Sequence, residues 1–225
     1  MRRDWDRRAR DNARHFVVTG QSQWSDDAFF ESGQETMREV ILCDLENICQ
    51  GRDPRQMRVL EIGCGAGRVT QALGAYFGEV WAVDVSPEMV RQAQRAIAPW
   101  PRVRVLQNNG KDLSVLRPSW RERRRGMVAP QFDFAFSCMV FQHISSRAII
   151  ENYVRDVHGL LRPGALFKFQ VQGDPAVESM PGDTWVGAPF TEPEARAMAA
   201  RRGFEMRYHA GAGEQYFWLW FFRNP

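Results

Sequence analysis

The sequence predicts an α/β domain built on a doubly wound, mostly parallel sheet, and three observations predict it. From Met57 onward, short apolar runs alternate with segments of helical period, the pattern of strands covered by helices on both faces. The first run, Val59-Leu60-Glu61-Ile62, breaks into Gly63, Gly65 and Gly67 at every second position, and a helical stretch starts directly afterwards. The second run, Glu79-Val80-Trp81-Ala82-Val83-Asp84, ends in an acid about twenty residues further on.

Taken in order, residues 1–50 precede the first strand and read as two or three helices. Trp5, Ala9, Ala13 and Phe16 recur at near-helical spacing, and Met37, Val40, Ile41, Leu45 and Ile48 share one side of the stretch 34–50. Between them, 23–33 carries Trp24, Phe29 and Phe30. Strands are expected at 57–63, 79–84, 102–107, 132–137 and 164–171, with helices at 66–77, 87–97, 112–124 and 146–161. Ser86-Pro87-Glu88 supplies a serine N-cap and a proline at the first helical position, and Ser145 or Ser146 opens the fourth helix. Pro163-Gly164 is expected to stop that helix. The segment 172–190, interrupted by Gly173, Pro175, Pro181, Gly182, Gly187 and Pro189, is the one long irregular stretch, lying just past a strand's carboxyl end. It reads either as part of an acceptor pocket, with Met180 and Trp185 as walls, or as a surface excursion. Two final strands, 203–209 and 214–222, flank Ala210-Gly211-Ala212-Gly213.

A strand that stops at a glycine-rich turn and feeds a helix can hold a nucleotide. Glycines let the backbone bend and approach a ligand closely, and the helix N-terminus offers free N–H groups. An acid ending the next strand can take the hydroxyls of a ribose. Glu61-x-Gly63-x-Gly65-x-Gly67 resembles the first motif of the class I S-adenosylmethionine-dependent methyltransferases, and Val83-Asp84-Val85-Ser86 resembles their second. The glutamate ahead of the first glycine and the spacing of the third separate this pattern from the dehydrogenase version. The resemblance continues through Phe132-Asp133-Phe134-Ala135-Phe136-Ser137 and Leu160-Leu161-Arg162-Pro163-Gly164-Ala165, covering most of the chain.

The resemblance implies a seven-stranded sheet with a C-terminal antiparallel hairpin that sets the last strand between the fifth and sixth. It implies a helical lid over the cofactor at 1–50 and a methyltransferase core at 51–225. Trp24, Phe29 and Phe30 then either line that lid or anchor its helices to the sheet. The implied cofactor is S-adenosyl-L-methionine, whose methyl is already activated, so no metal is called for. Glu61 would orient the glycine turn, and Gly63, Cys64, Gly65 and Gly67 would line the methionine and ribose portions. Arg68 would meet the cofactor carboxylate or the acidic lid, or stand exposed in the first helical turn. Asp84 would accept from the ribose hydroxyls, with Val85 and Met89 beside the adenine. Asn109, next to Gly110, stands where the family carries an acid for the adenine amino group; Asn108 and Asp112 are alternatives. Ser137 and the residues after it would face the reacting methyl. There His143 is either a general base or a packing and capping residue. Asn/Asp-Pro-Pro-aromatic, the mark of one large group of nucleobase N-methyltransferases, is missing at this place.

Composition bounds the rest. Hydrophobic content of 44% and charged content of 25% over 225 residues fit one large globular domain. A net charge of +3 and a pI near 8.8 are too mild for a dedicated nucleic-acid binder, and Arg121-Glu122-Arg123-Arg124-Arg125 reads as a solvated face. Four cysteines without a C-x-x-C pair read as thiols in a reducing compartment. No signal-like stretch occurs in 1–14, and the apolar 216–222 is too short to span a bilayer. The expectation is a cytoplasmic enzyme, monomer or homodimer, that methylates an oxygen or nitrogen of a small-molecule acceptor, with no nucleic acid or membrane as partner. Its rivals are an RNA or protein methyltransferase, a nicotinamide-dependent oxidoreductase and a non-catalytic S-adenosylmethionine-binding protein.

Overall fold

The computed structural model describes all 225 residues, Met1–Pro225. Seven strands, β1 (Arg58–Ile62), β2 (Glu79–Asp84), β3 (Val103–Gln107), β4 (Phe132–Ser137), β5 (Leu161–Val171), β6 (Phe204–Ala210) and β7 (Phe217–Arg223), form one sheet in the order β3-β2-β1-β4-β5-β7-β6. β1 with β2, β2 with β3, and β4 with β5 pair parallel, whereas β7 runs antiparallel to both β5 and β6. The expected mostly parallel sheet, with its last strand inserted between the fifth and sixth, is therefore present. The chain divides into two compact units, Met1–Gln107 and Asn108–Pro225.

In the first unit, Val59, Leu60, Val80, Ala82 and Val83 are wholly buried, so both pleat faces are covered and the apolar runs are continuous rather than alternating. Helix α1 (Arg2–Val17) is kinked at Asn12, whose side-chain carbonyl accepts the His15 N–H and starts the second half. α2 (Asp26–Thr36) begins well before the expected 34, because Ser25 caps it through the Ala28 N–H. A π turn at Met37–Ile41 and a 3₁₀ turn at Leu42–Asp44 lead into α3 (Leu45–Cys49). Of the expected apolar side, Met37, Ile41 and Ile48 are buried. α4 (Arg68–Tyr76) follows β1, and α5 (Pro87–Ala96) follows β2 behind the expected cap, Ser86 accepting from the Met89 N–H.

In the second unit, the single helix expected at 112–124 gives way to a 3₁₀ turn, Ser114–Leu116, and a short α6 (Trp120–Arg124). Pro118 is the cause: it forces Arg117 into extended backbone (φ −103, ψ 137), and the chain restarts at Ser119, boxed by Glu122. α7 (Arg147–Leu160) is capped by Ser146 and ends before Pro163-Gly164 is reached. β5 begins at Leu161, so that dipeptide lies inside the strand, where the register shifts: Phe132 pairs with Leu161, and Phe134 with Leu166. α8 (Glu192–Arg201) was not anticipated. Its signal was Thr191-Glu192-Pro193-Glu194 ahead of an alanine-rich stretch, and the Glu194 carboxylate accepts from both Thr191 N–H and Oγ–H. Phe167 and Phe169 stack at 4.2 Å, and Phe141 meets Phe169 edge-on at 5.4 Å, pinning the turn after β4 to the core. No helix is long and apolar enough to cross a membrane.

Candidate functional site

The turn after β1 is made by its glycines. Gly63, Gly65 and Gly67 all have positive φ (79°, 53° and 89°), a region that a side chain disfavours. The N–H groups of Gly63 and Cys64 donate to the Val83 carbonyl, which fixes the turn against β2. Asp84, at the end of β2, accepts the Gly65 N–H through Oδ2 at 2.9 Å and the Ser86 N–H through Oδ1 at 2.8 Å. Burial pushes its carboxyl above the ordinary value, against these backbone donors. The carboxylate retains acceptor capacity for a further donor. A Cβ on Gly67 would lie 3.1 Å from the Ala93 Cα, so this glycine also lets α4 and α5 approach closely.

Glu61 is buried, and its Oε2 accepts the Thr70 hydroxyl at 2.6 Å. Burial pushes its carboxyl up to about 7, opposed by Thr70 and the Arg68 charge. Because the folded value lies above the ordinary 4.5, the native chain binds the extra proton between those values. Stability should then fall as pH rises through that window, by up to about 3 kcal/mol. Glu61→Gln, which keeps an acceptor for Thr70, should flatten that slope in urea titrations from pH 4.5 to 8. Burial likewise raises the Cys64 thiol well above its usual range.

Arg68 is not an exposed first-turn residue. It is buried, and its Nη1 donates to the Ser32 carbonyl at 2.7 Å and the Thr36 hydroxyl at 2.9 Å, tying α4 to α2. Phe29 is fully buried edge-on against Trp24 and Phe30, in a cluster with Ala9, Ala13, Ala66 and Met89, so these aromatics anchor the N-terminal helices. Val85 is half-buried, and its carbonyl accepts from Gln107. Two contacts that the sequence did not suggest hold α1 down. Asp6 Oδ1 accepts from Ser86 Oγ–H and Glu88 N–H at the start of α5, and Val17 lies where a Cβ on Gly65 would project.

In the second unit, Asn109 turns back on its own loop: its side-chain carbonyl accepts from the Lys111 and Asp112 N–H groups, and its amide donates to Asp112. Asn108 is buried, donating to the Tyr153 hydroxyl and accepting the Gly110 N–H. Ser137 is buried at the end of β4. Beyond it, Met139 takes a positive φ of 59° while its N–H donates to Gln170. His143 closes a 3₁₀ turn, Phe141–His143, with Nδ1 2.6 Å from the Trp185 carbonyl and its ring 5.3 Å from that indole. The 172–190 segment is laced to this turn: Gly187 N–H donates to the Gln142 carbonyl and Ala188 N–H to that of Ile144. Met180 faces solvent instead of forming a wall. A Cβ on Gly187 would sit 2.5 Å from the Gln142 carbonyl carbon and oxygen. Gly187→Ala should therefore pry the segment away, with faster amide exchange over 183–188 and a loss of about 1–3 kcal/mol in denaturant unfolding. The arginines of 121–125 are exposed, two of them stacked on the indole of Trp120.

The fold and the glycine turn define a Rossmann-like domain of the nucleotide-cofactor class. Residues 60–167 match the family model described as "Methyltransferase domain". The chain therefore carries a methyltransferase domain over this stretch. It is 26% identical over 147 residues to a tRNA/tmRNA (uracil-C(5))-methyltransferase of Campylobacter hominis, covering 65% of this chain and 38% of that one. It is 28% identical over 131 residues to a ubiquinone biosynthesis O-methyltransferase of a Caulobacter species, covering 58% and 47%. The alignments thus span less than half of those two relatives. Among solved structures, the N-methyltransferase NodS from Bradyrhizobium japonicum, in complex with S-adenosylhomocysteine, superposes with a TM-score of 0.65 at 17% identity, covering 100% of this chain and 98% of that one.

Proposed function

We propose that this chain transfers a methyl group from S-adenosyl-L-methionine to an oxygen or nitrogen of a small-molecule acceptor. The observation that carries the reading is the buried Asp84 carboxylate, bound to the Gly65 and Ser86 N–H groups beside a turn of three positive-φ glycines. The residues present fit the cofactor: Asp84 keeps acceptor capacity for ribose hydroxyls beside three glycines of positive φ. When bound, the cofactor supplies a methyl already activated on a sulfonium.

The chain's own work is to grip, orient and exclude water. Asp84 accepts from the ribose; Gly63, Cys64, Gly65 and Gly67 offer backbone to the methionine and ribose portions; and Glu61 braces α4 through Thr70. Val85 and Met89 flank the adenine, with Asn109, Gly110 and Ser137 completing the set. Arg68 acts through α2, holding residues 1–50 as a lid over the core at 51–225. The contacts of Asp6 and Val17 support that lid. His143 is the general base for an O–H or N–H acceptor. The reading includes a cytoplasmic location, a monomer or homodimer, and no nucleic-acid partner.

The test is calorimetric titration with S-adenosylmethionine, followed by S-adenosylhomocysteine release over a panel of small phenols, carboxylic acids and amines. No donor uptake would sink the reading. Uptake with turnover on transfer RNA alone, lost at high salt, would replace the small acceptor with a nucleic acid, the substrate class that the Campylobacter relative's name gives for that protein.

A further inference from the structure

We propose that Asp183 is a positioning residue that fixes the tautomer of His143. Asp183 Oδ1 accepts the Trp185 N–H at 2.7 Å and the Val186 N–H at 3.3 Å, drawing 183–186 into a tight turn. That turn aims the Trp185 carbonyl at Nδ1 of His143, 2.6 Å away. A carbonyl can only accept, so Nδ1 carries the ring proton and, in the neutral imidazole, Nε2 holds the lone pair. A second contact agrees: the Gln142 amide nitrogen, which can only donate, lies 3.4 Å from Nε2. The register of the strap is set by Gly187 and Ala188, whose N–H groups donate to the carbonyls of Gln142 and Ile144 on either side of His143. Loop and imidazole are thus held from both flanks and from the ring.

This arrangement has a chemical use if His143 is the base, and only that use rests on the methyl-transfer reading. An O–H or N–H acceptor displaces the Gln142 amide from Nε2, gives its proton there and keeps the electron pair as its nucleophile. A ring with its proton on Nε2 has no lone pair there to receive it. Free neutral histidine favours the Nε2–H form, so the strap selects the form that solution chemistry populates less. The aspartate matters because its carboxylate accepts both the Trp185 and Val186 N–H groups and so sets the aim of the carbonyl.

Long-range ¹H–¹⁵N correlation spectra of the uniformly ¹⁵N-labelled full chain at pH 8.5, without cofactor, read the tautomer directly. His143 is expected to show Nδ1 as the protonated nitrogen. Asp183→Ala should move it to a mixture dominated by Nε2–H, and Asp183→Asn, which keeps Oδ1, should preserve the wild-type pattern. A wild-type spectrum with Nε2–H overturns the proposal and requires no variant to fold. So does an unchanged spectrum in Asp183→Ala. With an acceptor in hand, kcat should fall about tenfold in Asp183→Ala, with the donor KM unmoved, and recover in Asp183→Asn. A shifted tautomer with undiminished kcat would overturn the base role of His143, and absent donor uptake by the wild type would sink the methyl-transfer reading separately.

Discussion

Replacing Asp84 by alanine is expected to weaken S-adenosylmethionine binding by at least ~100-fold and to destabilise the chain by about 2–4 kcal/mol. Two losses combine. The proposed ribose site loses its acceptor, and the N–H groups of Gly65 and Ser86 lose the carboxylate they donate to. Those groups lie in a buried turn, where an unmet donor costs about 1–3 kcal/mol. Burial already holds the Asp84 carboxyl above its ordinary value, so part of the hydrogen-bond gain is offset by desolvation. Asp84→Asn retains one acceptor oxygen and should fall between wild type and alanine in both measurements. Calorimetric titration and urea unfolding on the three proteins check this; equal donor affinity in all three would remove Asp84 from the site.

Gly33→Ala is expected to cost about 3 kcal/mol and lower the melting temperature by roughly 6–12 °C. Its Cβ would lie 2.1 Å from the Arg68 carbonyl oxygen and 2.8 Å from the carbonyl carbon. These are backbone atoms of α4, which cannot rotate aside as a side chain could. α2 must lift, and with it go the Ser32 and Thr36 oxygens that accept from the Arg68 guanidinium. Amide exchange should therefore accelerate across 26–49, and donor affinity should drop although no proposed ligand has changed. Gly20→Ala is the control: a Cβ there meets nothing within 4 Å, and its stability should stay within about 0.5 kcal/mol of wild type. A Gly33→Ala protein that melts like the control would show that α2 has room to move.

Elements whose signals are local were legible. β2 and β4 fall where their apolar runs lie, and Ser86-Pro87 caps α5, because each is written in a few adjacent residues. Elsewhere a competing local rule overrides the periodic pattern. Pro118 splits the expected helix into a turn and a short helix, and the Thr191–Glu194 box opens a helix beyond those expected. Pro163-Gly164 was read as a helix stop when it occupies a register shift within β5, something only the pairing with β4 reveals.

By itself, then, the sequence determined the strand–glycine–helix turn, the acid that follows it and the order of alternating elements, since backbone geometry and hydrophobic period act over a few residues. Only the tertiary structure decided that Arg68 is buried against α2, that Gly33 must be bare to let α4 pass, and that Trp185 lends its carbonyl to His143. Those choices join residues 32 to 42 positions apart. Contacts made through a single carbonyl or a missing Cβ leave no periodic trace in the chain that makes them.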